Sequence, residues 1–153
     1  MKIIMTNPEL WDIYDSIRSP IGRTAVRGEP MPPEDFHLVV LAWILSADGR
    51  ILLMKRSPEK HGGGLWSTPG GSAIAGEDSL TAVLRETFEE SGIILPPDSG
   101  RLIYQHSIPR DNGGCSAHYD HWLFRHDINP AEITFQPGET CGYRFAVFNG
   151  LYE

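Results

Sequence analysis

The sequence predicts an α/β domain, an α+β mixed sheet carrying one long helix. Three observations support this. Strand-like apolar and β-branched runs come in pairs separated by short turns. One stretch, 78–91, lacks glycine and proline and is flanked by cap residues. Further strand-like runs follow it almost to the end of the chain.

Residues 9–29 alternate apolar and polar types around Ser19-Pro-Ile-Gly22, the pattern of a hairpin with strands at 10–14 and 22–26. The proline-rich segment 28–34 reads as a linker. Residues 37–45 are apolar and β-branched, Ser46-Ala-Asp-Gly-Arg50 is a turn, and 51–55 returns as the second strand of a buried hairpin. Gly62, Gly63 and Gly64, followed by Leu65-Trp66 and Pro69-Gly70-Gly71, mark a loop of unusual backbone geometry. For 78–91 the reading is helix: Asp78 and Ser79 can cap its start and Gly92 stands where a C-cap glycine belongs. Strand-like runs at 101–107, 118–124, 133–135 and 143–148 complete the pattern.

A chain of 153 residues with 41% hydrophobic and 10% aromatic content can bury a core of its own. Residues 1–34, the N-terminal hairpin and linker, are expected to share one domain with 35–153. Charged residues of both signs are interspersed, without repeats or low-complexity blocks, so disorder and a solenoid are both disfavoured. A formal net charge of −7 argues against a nucleic-acid polymer as partner, because Lys and Arg hold phosphate backbones. Cys115 and Cys141 are too few and too far apart for a disulfide framework or a metal clamp. Near the start, Ile3 and Ile4 are soon followed by Asn7, Pro8, Glu9 and Asp12, so neither a signal-peptide core nor a membrane span is expected, and the expected location is cytoplasmic.

The chemistry concentrates on the helix. At about 100° per residue, Leu80, Leu84, Thr87, Phe88 and Ser91 share the expected buried face, and Glu86, Glu89 and Glu90 cluster on an arc roughly opposite. Like charges at such spacing repel, so the cluster adds nothing to helix stability. A hard divalent cation such as Mg²⁺, which takes carboxylate oxygens together with water and substrate phosphate, would offset that repulsion. A solvated acidic face is the plain alternative.

A resemblance carried by the wider sequence decides between the two. Gly71, five residues, Glu77, seven residues, Arg85-Glu86, two residues, Glu89-Glu90, one residue and Gly92-Ile93 resemble the signature of the Nudix hydrolase family. Thr87 departs from it, standing where the family usually has an aliphatic residue. Because Thr87 falls on the core-facing side, the departure should affect packing and not chemistry.

The resemblance implies an α/β/α Nudix sandwich and a catalytic set of Glu77, Arg85, Glu86, Glu89 and Glu90. Glu86, Glu89 and Glu90 would ligate Mg²⁺, or Mn²⁺ in its place, with the main-chain carbonyl of Gly70 as a further oxygen. Arg85 would hold the glutamates in place and Glu77 would support the loop-to-helix junction. Glu139, or Asp120, is the candidate for a further downstream acid. The reaction implied is water attack on phosphorus in a small organic diphosphate, such as a nucleoside diphosphate derivative. Arg56, Lys60 and Arg110 can meet phosphate, and Trp66, Tyr104, Tyr119 and Trp122 can stack on a base or sugar, with core or rim packing as the plain alternative for the tryptophans. The family's closing helix has no counterpart at 149–153, so it is expected to be short or missing, with a homodimer covering that face.

Two other readings compete. The segment from about Leu10 to Gly92 resembles a Nudix subgroup related to isopentenyl diphosphate isomerases, which would imply an isomerase. Those enzymes use a cysteine in the loop before the signature, where this chain reads Trp66-Ser-Thr-Pro-Gly70. A non-catalytic Nudix-fold nucleotide-binding module is the other reading, although such modules usually lose the signature glutamates and this chain keeps them.

Overall fold

The computed structural model describes residues 7–147. Nine strands form one mixed sheet: β1 (Leu10–Tyr14), β2 (Pro20–Val26), β3 (Phe36–Leu45), β4 (Arg50–Arg56), β5 (Trp66–Ser67), β6 (Gly70–Ser72), β7 (Gly100–Ile108), β8 (Ser116–Arg125) and β9 (Thr140–Val147). Helix α1 (Ser79–Ser91) lies between β6 and β7, and single 3-10 turns occupy Pro97–Ser99 and Pro130–Glu132. Among the described residues α1 is the one α-helix, and no helix is long and apolar enough to cross a membrane. The expectation for 149–153 lies outside the described residues.

The long strand β3 organises the sheet. One edge pairs in parallel with β8 along its whole length, from Phe36↔Ser116 to Leu45↔Arg125. The other edge is shared: Tyr14 of β1 pairs with Phe36, β6 pairs with Val39 to Leu41, and Ile51 of β4 pairs with Leu45. The two strands of the β3–β4 hairpin therefore diverge, and β6 occupies the gap. This inserted strand is short and half-buried, and it brings the Gly70-Gly71 backbone against α1. At the outer edges β2 pairs with β1, β7 with β8, and β9 with β4.

Alternation along β3 shows which face is the core. Leu38, Val40, Ala42 and Ile44 are buried and pack with Leu52, Met54 and Phe124 against Ala82 and Val83 of α1, while the intervening Val39, Leu41, Trp43 and Leu45 are partly exposed. The caps of α1 form as expected. The Asp78 carboxylate accepts the Thr81 N–H at 2.7 Å, and Gly92, at φ 74°, donates its N–H to the Phe88 carbonyl at 2.8 Å. Thr87 is fully buried, and its hydroxyl donates to the Val83 carbonyl at 2.7 Å, so the departure from the signature leaves no unpaired polar group.

Three expectations need correction. The turn of the first hairpin lies at 15–19, closed by the Asp15 N–H on the Ser19 carbonyl, and Pro20 to Gly22, read as that turn, already belong to β2. Residues 133–135 are not a strand: Ile133 closes the turn at Pro130–Glu132, and the Thr134 N–H donates to the Ser91 carbonyl, so this segment caps the end of α1. The buried stripe of α1 is also rotated, toward Val83 and Glu90 and away from Phe88, which is 53% exposed. The reason is β6, whose backbone covers the helix on its glutamate side.

Candidate active site

A cleft of about 310 Å³ opens where α1, β6 and two loops meet. Arg85, Glu86, Glu89 and Glu90 line it from the helix, and Gly70, Gly71 and Ser72 from β6. Arg56 and Lys60 come from the end of β4 and the loop beyond it, Gln136 and Glu139 from the loop before β9, and Glu9 and Arg27 from the open end of the β1–β2 hairpin.

Arg85 is the organising group. Its guanidinium makes five hydrogen bonds: Nε donates to Glu77 Oε1 at 2.6 Å, Nη1 to Glu86 Oε1 at 3.0 Å and Glu89 Oε2 at 3.1 Å, and Nη2 to Glu77 Oε2 at 3.0 Å and the Ser72 carbonyl at 3.1 Å. Every N–H of the side chain is used. Glu77 accepts in addition the Ile74 N–H at 3.0 Å, which ties the loop to the helix start. Burial works against the charged guanidinium, but the Glu77 hydrogen bonds and the surrounding carboxylates outweigh it and hold its pKa above the ordinary value.

The glutamates differ in environment. Glu89 is half-exposed. Glu86 is largely buried, and burial raises its pKa against the pull of Arg85. A Cβ at Gly71 would lie 2.5 Å from the Glu86 carboxyl carbon, so the bare glycine leaves that carboxylate its place against β6. Glu90 is 9% exposed, and its Oε2 accepts the Gly70 N–H at 3.1 Å. Burial, reinforced by the Glu86 charge, pushes Glu90 up to about 7 although the Gly70 N–H, Lys60 and Arg56 pull the other way.

Among the described residues no group of three His, Cys, Asp or Glu side chains is drawn close enough to enclose a cation. Arg85 holds Glu86 and Glu89, and Gly70 holds Glu90. The donor set nevertheless fits a hard cation: carboxylate oxygens share one cleft, and Mg²⁺ needs only one or two of them besides water and substrate phosphate. Among the described residues Glu86 Oε2 and Glu90 Oε1 have no hydrogen bond.

Of the residues singled out in the sequence, the structure brings Glu86, Glu89, Glu90, Arg85, Gly70, Arg56, Lys60 and Glu139 to the cleft, with Glu77 behind Arg85. Glu139 is paired with Lys60.

It does not bring Trp66, Tyr104 or Arg110 there. Trp66 pairs with Lys55, whose neighbour Met54 faces the core, so strand alternation sends Trp66 to the opposite face of the sheet. There its ring packs under the Arg144 guanidinium at 4.6 Å. Tyr104, on the outer strand β7, meets His106 and His121 at ring-centroid distances of 5.4 and 5.5 Å. Arg110 follows β7 at the turn into β8, where its N–H donates to Ser116 Oγ. Asp120 is buried, accepting from Arg18 at 2.7 Å, Ser79 at 2.6 Å and Gln105 at 2.9 Å, and it anchors the N-terminal hairpin instead of facing the cleft.

Glu9, Arg27, Ser72 and Gln136 were missed. For Glu9 and Arg27 a signal existed: they flank the open end of the expected hairpin, and its register sets them opposite each other.

Residues 35–150 match the family model described as the NUDIX domain. A Nudix hydrolase of Listeria monocytogenes, lmo0368, is 31% identical over 139 residues, covering 90% of this chain and 79% of the relative. An isopentenyl-diphosphate Delta-isomerase of Streptomyces avermitilis is 30% identical over 116 residues, 73% of this chain and 58% of that one. Among solved structures, DR0079 from Deinococcus radiodurans superposes with a TM-score of 0.72 at 22% identity, covering 94% of this chain and 86% of that chain. With Glu86, Glu89 and Glu90 sharing one cleft with Arg85, the chain belongs to the Nudix family, as a hydrolase acting on phosphate anhydrides.

Proposed function

We propose that the cleft hydrolyses a diphosphate linkage in a nucleoside diphosphate derivative or a similar organic diphosphate, with Mg²⁺ as its cation and Mn²⁺ as a substitute. The observation that carries this reading is the Arg85 arrangement. One guanidinium holds Glu77, Glu86 and Glu89 in fixed positions beside Glu90, which aims hard oxygen donors into a cleft that also holds Arg56 and Lys60.

Nudix hydrolases use divalent cations. Glu86, Glu89 and Glu90 would hold the ion, with the Gly70 carbonyl and Glu139 as further oxygens. When bound, it supplies charge neutralisation on the non-bridging phosphate oxygens and a lowered pKa for water. The chain's own groups do the rest. Arg56 and Lys60 offer donors to phosphate oxygens and so orient the diphosphate for in-line displacement. Glu86 Oε2 and Glu90 Oε1 are the oxygens free to accept the attacking water's proton. The new O–P bond forms as the bridging P–O bond breaks, and the leaving phosphate departs toward the cations at the rim. Neither Cys115 nor Cys141 lines the cleft, which weighs against thiol-dependent isomerase chemistry.

The test is phosphate or nucleotide release from a panel of organic diphosphates with Mg²⁺, comparing wild type with Glu89→Gln and Glu90→Gln. Turnover by wild type that falls at least 100-fold in both variants is expected. A wild type that binds Mg²⁺ and nucleotide but turns over nothing would replace the hydrolase with a binding module.

A further inference from the structure

Two cations at the cleft rim are neutralised within the chain. Arg27, just beyond β2, donates through Nη1 to both Glu9 carboxylate oxygens at 3.1 Å. Lys60 pairs with Glu139. Arg56 has no carboxylate partner among the described residues and spends its Nε on the His61 carbonyl at 3.2 Å. The cleft lining, among the described residues, contains no aromatic and no aliphatic side chain.

The Arg27–Glu9 pair is suited to exchange. Arg27 is 48% and Glu9 35% exposed, and ion pairs at that exposure are weakly held. One guanidinium nitrogen makes both contacts, so the fork that recognises phosphate with two nitrogens is not committed. The backbone meanwhile keeps the residue in place, because the Arg27 N–H donates to the Glu9 carbonyl at 2.9 Å across the hairpin. The guanidinium can therefore turn toward the cleft without any change in the strands.

We propose that Arg27 is a substrate-binding residue that leaves Glu9 for phosphate oxygens, as Lys60 leaves Glu139, so that the site selects polyphosphorylated substrates with a polar organic part. The proposal rests on the diphosphatase reading and names its substrate class. Three rim cations match a chain of phosphates better than one diphosphate, and an all-polar lining offers nothing to a prenyl group. Each exchange also frees a carboxylate at the cleft, and Glu139 then becomes available to the cation.

The probe is inorganic tripolyphosphate, titrated calorimetrically without divalent cations, so that the result does not depend on turnover. Wild type should bind it at least tenfold tighter than inorganic pyrophosphate, and Arg27→Gln should lose about tenfold. Glu9→Gln should tighten binding several-fold by releasing Arg27, with less than a twofold effect in the Arg27→Gln background. Glu29→Gln, the same charge change on an exposed residue outside the cleft, should do nothing. Unfolding midpoints are read beside each titration, and Arg27→Lys, which keeps the charge, should recover part of the affinity. A Glu9→Gln variant that binds tripolyphosphate no tighter than wild type, or that tightens it equally without Arg27, would overturn the proposal. Normal exchange in a protein that hydrolyses nothing would overturn the enzyme reading alone.

Discussion

Replacing Arg85 by lysine keeps the charge at the centre of the site and removes its geometry. The guanidinium serves five acceptors in fixed directions, whereas an ammonium has three N–H bonds on one atom, so at least two acceptors lose their donor. A hydrogen bond to a charged group is worth about 1.5–3 kcal/mol. The bond to Glu89, 39% exposed, counts for little, while Glu77 and Glu86 are only 11% and 12% exposed. The expected loss for Arg85→Lys is therefore about 2–4 kcal/mol in the metal-free protein, read from urea unfolding with a chelator present. Under the proposed metal-holding role of Glu86 and Glu89, which lose their fixed positions as well, Mg²⁺ affinity should fall about 10–100-fold, the usual effect of disturbing the groups behind a metal's ligands. An Arg85→Lys protein with wild-type unfolding midpoint and wild-type Mg²⁺ affinity would refute the argument, since net charge is the same in both.

Two more predictions follow from single contacts. Gly71→Ala places a Cβ 2.5 Å from the Glu86 carboxyl carbon, the mobile end of a side chain, so folding should lose less than about 1 kcal/mol while Mg²⁺ binding weakens about tenfold as that carboxylate is displaced; isothermal titration reads the second effect and chemical unfolding the first. His37 lies buried on the Trp11 ring at 4.0 Å, donating Nδ1–H to the Ser116 carbonyl at 3.0 Å. Burial lowers its pKa, with Arg27 and His118 adding to the effect and the Ser116 contact opposing it. Its neutral form then contributes stability that is full above the unfolded value near 6.5 and is lost as pH falls through the depressed folded value. His37→Gln should flatten stability against pH below 6.5, and an unchanged slope would remove His37 from the acid response.

Much of the site could be read from the chain because its determinants are local. The capped, glycine- and proline-free run that forms α1 places Arg85, Glu86, Glu89 and Glu90 on one side of the helix by periodicity alone. Gly71 and Glu77 stand close before it, so their approach needs only a short loop. The hairpins were legible for the same reason, each being a strand, a turn and a strand within about twenty residues. Facing was not so legible. Trp66 and Tyr104 have the composition of base-stacking residues, but which face of a sheet each occupies depends on pairing register, and a shift of one residue reverses it.

By itself the sequence determined the helix, its caps, the acidic cluster and the arginine that organises it, since these follow from periodicity and from spacing over a few turns of chain. The tertiary structure alone decided that β6 would enter the gap between β3 and β4 and bury Glu86 and Glu90. It also decided that the N-terminal hairpin would carry Glu9 and Arg27 to the cleft, and that Asp120 would anchor that hairpin. Those outcomes depend on how strands distant in sequence share the two edges of β3. Many such arrangements satisfy the same local signals, and close packing of the whole core selects among them.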